Sequence, residues 1–251
     1  MKFIFTLLIL LSSSLSSLLQ AQKPTDKFYE LRIYHCLDGK LPTLLQRFEN
    51  HTTKLFEKHG MENIGYWLPT KADNKTLYYV LAYPSQEARE KSWQAFIQDP
   101  VWKEVAQKSE ENGKIIERIE SIYLKMEPSL SKKISQANQG NDPVFELRSY
   151  TCLPDRLPAL VSRFKKHTRA LFEKHGMANI AYFTTVEKEA TQPKLLYWVA
   201  HESVESAQKS WDGFRQDPKW ITARDASEKS GKIVEKVESI YMKPTRFSSL
   251  N

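Results

Sequence analysis

Glutamate, arginine and tyrosine spaced two residues apart could anchor a small anion and act on it, and this chain carries the set twice. Tyr29-Glu30-Leu31-Arg32-Ile33-Tyr34-His35-Cys36 returns as Phe145-Glu146-Leu147-Arg148-Ser149-Tyr150-Thr151-Cys152. In an extended strand, alternate side chains point to opposite faces. Glu30, Arg32, Tyr34 and Cys36 therefore share one face, and Glu146, Arg148, Tyr150 and Cys152 share its twin. Arginine suits an anion anchor, tyrosine a donor, and glutamate a base or an orienting partner. The same residues would equally serve as a buried Glu–Arg pair fixing how two sheets register, so both readings stand. The opposite face (Tyr29, Leu31, Ile33) is apolar and fit to lie under helices.

Further candidates come from the histidines and aromatics. On the helix after the first strand, Leu41, Leu44, Leu45, Phe48, Thr52, Leu55, Phe56 and His59 form one stripe at helical spacing. His51, and its twin His167, sit roughly 70° from the centre of that stripe, where they could reach the rim of a cavity. His59 and His175 lie within the stripe beside a capping glycine and read as satisfied, partly buried histidines. Tyr66 and Tyr182, on the next strand of each copy, complete the candidate ligand-binding set, although aromatics there also suit a core. No metal is expected: His51 and His59 are about 80° apart around the helix, and no Cys-x-x-Cys or His-Glu-x-x-His occurs. No cofactor is expected either, since there is no Gly-rich phosphate loop and no nucleophile elbow. Haem would need one of these histidines to project into a cavity. Cys36 and Cys152 are equivalent positions of two repeats and read as separate, half-buried thiols.

The elements that must position these groups also come twice. After each opening strand a proline-led helix starts at Leu41-Pro42 or Leu157-Pro158. Each ends at Gly60 or Gly176, with Met61 or Met177 placed to pack back. Two β-like runs follow as a hairpin, then a helix capped by Ser85, a restart at Asp99-Pro100 (twin Asp217-Pro218), and a final strand. The repeats span 27–126 and 144–243, joined by a polar linker over 127–143. Each reads β-α-β-β-α-β, the split βαβ arrangement with helices on one face of an antiparallel sheet.

The first residues are a short positive end, an apolar run over Phe3–Leu11 and a Ser/Leu stretch reaching Leu19-Gln20-Ala21. This is the pattern of a secretory signal over 1–21 with a cut after Ala21, and the mature protein is expected to be exported. The apolar core is short for a membrane span, and no other segment could cross a bilayer. The net charge of +7 is an interspersed excess of Lys and Arg. It reads as a solvated surface, so no nucleic-acid partner is expected. Association into a homo-oligomer is left open.

Glu-Leu-Arg-x-Tyr opening a strand, a helix carrying Arg-Phe-x-x-His-Thr, the Phe-Glu-Lys-His-Gly-Met turn and Asp-Pro-x-Trp occur in both copies. By these marks the chain resembles the NIPSNAP family over nearly all of the expected mature length. One departure is the family's Pro-Gly after the first strand, which here is Asp38-Gly39 and Pro154-Asp155. The resemblance implies the fold of the dimeric α/β-barrel proteins, with both halves in one chain, and implies little chemistry. The expected class is α+β: two ferredoxin-like repeats closing as an intramolecular α/β barrel, with the two Glu/Arg/Tyr faces enclosed between them. The expected role is an exported module binding a small, partly apolar ligand or a partner between the repeats. The alternative is a cofactor-independent enzyme, oxygenase- or isomerase-like, acting inside the barrel.

Overall fold

The computed structural model describes residues 23–140, 142–186 and 192–250; the expected signal over 1–21 lies outside them. In the first repeat, β1 (Phe28–Cys36) leads into a helical stretch made of α1 (Leu41–Arg47), a π-helical turn (Phe48–Thr52) and α2 (Thr53–Lys58). The hairpin β2 (Glu62–Pro69) and β3 (Thr76–Tyr83) follows. Then come α3 (Gln86–Gln98), α4 (Pro100–Ser109) and β4 (Ile116–Met126).

The second repeat repeats that order: β5 (Val144–Cys152), α5 (Leu157–Arg163), a π-helical turn (Phe164–Thr168) and α6 (Arg169–Lys174). The hairpin β6 (Ala178–Thr185) and β7 (Lys194–His201), then α7 (Val204–Gln216), α8 (Pro218–Ser227) and β8 (Val234–Pro244), complete it.

Local chemistry accounts for most element ends. Gly60 and Gly176 adopt φ of 76° and 78°, and Met61 N–H donates to the Phe56 carbonyl at 2.9 Å, the reversal glycine allows at a helix C-terminus. Ser85 Oγ accepts from Ala88 N–H at 3.1 Å. Asp99 caps α4 through Val101 N–H at 2.8 Å. Its other oxygen holds Lys58 Nζ and His59 Nε2, both at 2.7 Å, and Asp217 does the same with Lys174 and His175. His59 and His175 are therefore satisfied ties between the two helical layers of each repeat.

The strands close into one barrel in the order β1-β3-β2-β8-β5-β7-β6-β4. Within a repeat the pairing is long; between repeats it is two short antiparallel seams. Trp67–Pro69 pairs with Met242–Pro244, and Leu124–Met126 with Phe183–Thr185. Each seam is extended by the segment that leaves it. Glu127 N–H donates to the Tyr182 carbonyl and Thr245 N–H to the Tyr66 carbonyl, both at 2.9 Å. Ser131 and Ser248 receive the N–H of those same tyrosines. The linker thus straps the second repeat, the C-terminal residues strap the first, and Leu250 ends inside the barrel core.

The strand faces are the reverse of the expectation. Tyr29, Leu31 and Ile33 point into the barrel with Trp67, Phe145, Leu147 and Trp198, forming a single apolar core shared by both repeats. Tyr34 and Cys36 lie in a separate core under the helices of the first repeat, and Cys152 in its twin. The Glu/Arg/Tyr faces are therefore not enclosed together. An eight-stranded barrel is just wide enough for side chains to fill, and a buried charge needs partners that an apolar filling lacks. The helices supply them. Expected and observed agree on the class and architecture, an α+β pair of repeats closed as one barrel.

The filling is tight at one place in particular. A methyl group on Gly65 would overlap the Trp67 ring; the second repeat has Ala181 and the smaller Phe183 at these positions. Gly65→Ala should cost about 1–3 kcal/mol by overpacking, and Ala181→Gly no more than about 1 kcal/mol, both measured by urea unfolding. Equal effects would mean that the Trp67 ring does not set the limit.

Candidate functional site

Each repeat holds a buried carboxylate between its sheet and its helices. Glu30 has no solvent exposure. Arg32 Nη1 donates to its Oε1 at 2.7 Å, and Arg89 of α3 makes a forked contact at 2.8 and 3.0 Å. Trp93 Nε1–H shares itself between Glu30 Oε2 at 3.0 Å and the Tyr83 hydroxyl at 2.9 Å. Tyr83 donates at 3.0 Å, and Ser121 of β4 donates as well. Burial alone would raise the Glu30 pKa. The donors Arg89, Arg32 and Ser121 outweigh it and bring the group from 4.5 to about 2.

Arg32 is held as completely. Its Nε donates to Tyr79 Oη at 2.9 Å and Nη2 to Tyr34 Oη at 3.3 Å. The guanidinium lies over the Trp93 ring, 4.2 Å from its centroid, a cation–π contact strengthened by exclusion of water. Glu30, Arg32 and Tyr34 thus come together as their spacing predicts, with Glu30 behind Arg32 and away from open space.

The second repeat keeps the plan and changes two members. Glu146 accepts from Arg148 Nη1 at 2.6 Å, Trp211 Nε1 at 2.7 Å and Ser239 Oγ at 2.5 Å. His201 stands where the first repeat has Tyr83 and pairs with Glu146 at 3.0 Å. Ala207 stands where it has Arg89. Arg148 Nη2 reaches Tyr150 Oη at 3.4 Å, whereas Arg148 Nε and Tyr197 Oη have no hydrogen-bond partner.

Beside Arg32 lies a cavity of about 270 Å³ between the sheet, the α1–α2 stretch and helices α3 and α4. Its wall is mainly aromatic, from Tyr34, Phe48, Phe56, Trp93, Phe96 and Trp102, with the two guanidinium groups Arg32 and Arg47. Its exposed lining is Ile97 and Ile119, 57% and 46% exposed, together with Glu110. The helix that roofs it, α4, contains no buried residue.

The other predicted residues are placed elsewhere. Tyr66 and Tyr182 are fully buried and stack on Tyr79 and Tyr197 at 5.4 and 5.2 Å. Their hydroxyls are taken by Asn63 and Asn179, so neither faces a cavity. His51 and His167 are exposed. His51 lines a second groove, between the α1 stretch and α4, that shares Arg47 with the cavity, and it reaches neither Glu30 nor Arg32. The π-helical turn is the reason: with Phe48 and Thr52 buried as the stripe predicts, its wider turn rotates His51 further from them and leaves it facing out. Thr52 Oγ1 donates to the Arg47 carbonyl at 3.1 Å, satisfying an acceptor the turn frees.

Cys36 and Cys152 are free, buried thiols, each pushed by burial up to about 11. Among the described residues no cluster of His, Cys, Asp and Glu could hold a metal ion, and no helix is long and apolar enough to cross a membrane. Sequence reasoning missed Arg47, Arg89, Tyr83, Ser121 and His201. Arg47 could have been found, since Arg-Phe-x-x-His-Thr recurs in both copies. Arg89 could not, since its twin is alanine.

The buried carboxylate makes stability depend on acid. The Glu30 pKa is lowered on folding, so its contribution is fully present above pH 4.5 and is lost as pH falls through about 2. That shift is equivalent to about 3 kcal/mol. Glu30→Gln should lose about 3 kcal/mol or more at pH 7, because Arg32 and Arg89 lose their counter-charge, and its stability should vary less between pH 4.5 and 2. Denaturant melts of both proteins across that range check this; parallel acid limbs would rule out Glu30 as the source.

The comparisons agree with this architecture. Structures that cover nearly the whole chain include a provisionally named monooxygenase from Fusobacterium nucleatum subsp. nucleatum. It is 9% identical, with a TM-score of 0.55, over 90% of this chain and 99% of that one. An anthrone oxidase-like protein is 12% identical, with a TM-score of 0.53, over 91% and 96%. At such identity the likeness is one of fold. A NIPSNAP family protein of unknown function from Agrobacterium tumefaciens str. C58 matches 40% of this chain and 88% of its own at 23% identity, with a TM-score of 0.36. No curated protein matches the sequence. The NIPSNAP family model matches residues 29–129 and again 145–249, so the chain belongs to the NIPSNAP family as a tandem of two such domains.

Proposed function

We propose that the protein is an exported binding module that takes a small, largely aromatic molecule in the cavity of its first repeat. The observation that carries this reading is the cavity itself. About 270 Å³ of space is walled by six aromatic rings and opens through two exposed isoleucines, where a sheet–helix interface would ordinarily be filled. Its size is at the small end for a ligand site and suits a compound of one or two rings. The site sits under the helices of one repeat instead of between the two.

The neighbouring groups favour binding over acid–base chemistry. Glu30 has its lone pairs committed to five side chains and does not line the cavity. The Cys36 thiol, at about 11, is protonated at neutral pH. The oxidase and monooxygenase names belong to proteins that share the fold alone, and a fold hosts many chemistries. Export is supported by the apolar run and small-residue site ending at Ala21. A mature N-terminus at Gln22, found by mass spectrometry of secreted protein, is the expected result.

Titrating the full chain with 2-naphthalenemethanol, an uncharged two-ring probe, should give saturable quenching of tryptophan emission, because Trp93 and Trp102 line the cavity. Ala106→Trp, which puts a ring into the same space, should weaken binding at least about tenfold while leaving the thermal midpoint within a few degrees. Unchanged quenching in Ala106→Trp would place the site elsewhere.

A further inference from the structure

Two guanidinium groups line the cavity, and their circumstances differ. Arg32 has a close counter-ion: Glu30 lies 2.7 Å from Nη1, Tyr79 and Tyr34 take two further donors, and Trp93 covers its face. Arg47 does not. It is 5% exposed, and the Nη1 donor reaches only a neutral hydroxyl, Ser109 Oγ, at 3.0 Å. Its carboxylate partner, Glu110, forms only a loose ion pair at 3.6 Å and is itself 40% exposed. Nε has no partner, and the guanidinium carbon is 5.3 Å from the Trp102 ring centroid. Burial pulls Arg47 below the ordinary arginine value, with Tyr34 and Glu110 opposing. An arginine that loses hydration without gaining a close counter-ion is a costly arrangement. It becomes favourable when an anion arrives.

We propose that the ligand of this cavity is an aromatic monocarboxylate whose carboxylate is taken by Arg47 and whose ring lies among Phe48, Phe56, Trp93 and Trp102. This rests on the binding reading above and names the chemistry it left open. Of the two wall cations, Arg47 is the one whose carboxylate lies beyond hydrogen-bond distance, and a forked guanidinium matches a carboxylate's two oxygens. One such cation accommodates one negative charge. A second carboxylate would face the apolar mouth at Ile97 and Ile119 with nothing to meet it. Glu110, the only carboxylate on the cavity wall among the described residues, is the competitor for Arg47 that the ligand displaces.

Calorimetric titration of the full chain with 2-naphthoate, naphthalene-2,6-dicarboxylate and 2-naphthalenemethanol separates the parts of this inference. The monocarboxylate should bind about tenfold tighter than the alcohol, and the dicarboxylate more weakly than the monocarboxylate. Arg47→Met should bring 2-naphthoate down to the level of the alcohol. Glu110→Gln, which removes the competitor and keeps the side-chain shape, should tighten 2-naphthoate several-fold more than it changes the alcohol. Equal affinity for naphthoate and alcohol in the wild type would overturn the anion anchor while leaving the aromatic site standing. So would a preference that survives Arg47→Met. Should Arg47→Met fail to fold, Glu110→Gln decides, and an unchanged naphthoate affinity overturns the proposal. If no probe binds at all, the cavity reading falls and the anchor falls with it.

Discussion

A carboxylate with no access to water persists only if donors reach it from every side. Glu30 meets that demand with side chains from β1, β3, β4 and α3, so one residue ties three strands and a helix into a fixed relation. Arg32, pinned by the same carboxylate and by two tyrosines, then holds the Trp93 ring beneath it. The cavity wall follows from this. Trp93 cannot turn to fill the space beside Arg32 without giving up both its N–H bond and its stacking. A buried ion pair is weak evidence of net stability, but here it sets orientation, and orientation is what leaves room under α4.

The same demand explains why the barrel is dry. Both faces of β1 are buried, one against helices and the other inside the barrel, and only one can carry charge. The barrel has no helix to lend arginine donors to a carboxylate, so it takes Tyr29, Leu31 and Ile33. Two short seams and two straps suffice to join the repeats because this shared apolar core, and not the ladder, carries the contact.

Much of this was legible in the sequence, and what was not has definite causes. The duplication, the element order, the caps at Ser85 and Asp99 and the glycine reversals at Gly60 and Gly176 are local signals that survive folding unchanged. The orientation of β1 was misread because alternation tells which residues share a face and not which partner the face meets. A polar face suggests a wet cavity until Arg89 and Trp93 are seen to reach it from a helix far along the chain. The π-helical turns were invisible to a 3.6-residue period, and they moved His51 and His167 out of the site. Arg47, at the edge of such a turn, was legible only as the first residue of the repeated Arg-Phe-x-x-His-Thr.

Because the chain contains its plan twice, it separates what the fold requires from what one site adds. Glutamate, arginine, tyrosine, tryptophan and serine stand at matching places in both repeats, and each takes part in burying the carboxylate or its arginine. Two partners of the carboxylate differ, Tyr83 against His201 and Arg89 against Ala207, and beside the cluster Ile97 stands against Arg215 and Ala106 against Arg224. At the last two places the second repeat has long cations paired to Asp212 and Asp225 where the first has the apolar edge of its cavity. The scaffold set could not change without stranding a buried charge. The positions of Ile97 and Ala106 could, since they line only the space beside it. On the proposed binding reading, specificity rests with the residues around the carboxylate cluster, and two repeats with one scaffold need not take the same ligand.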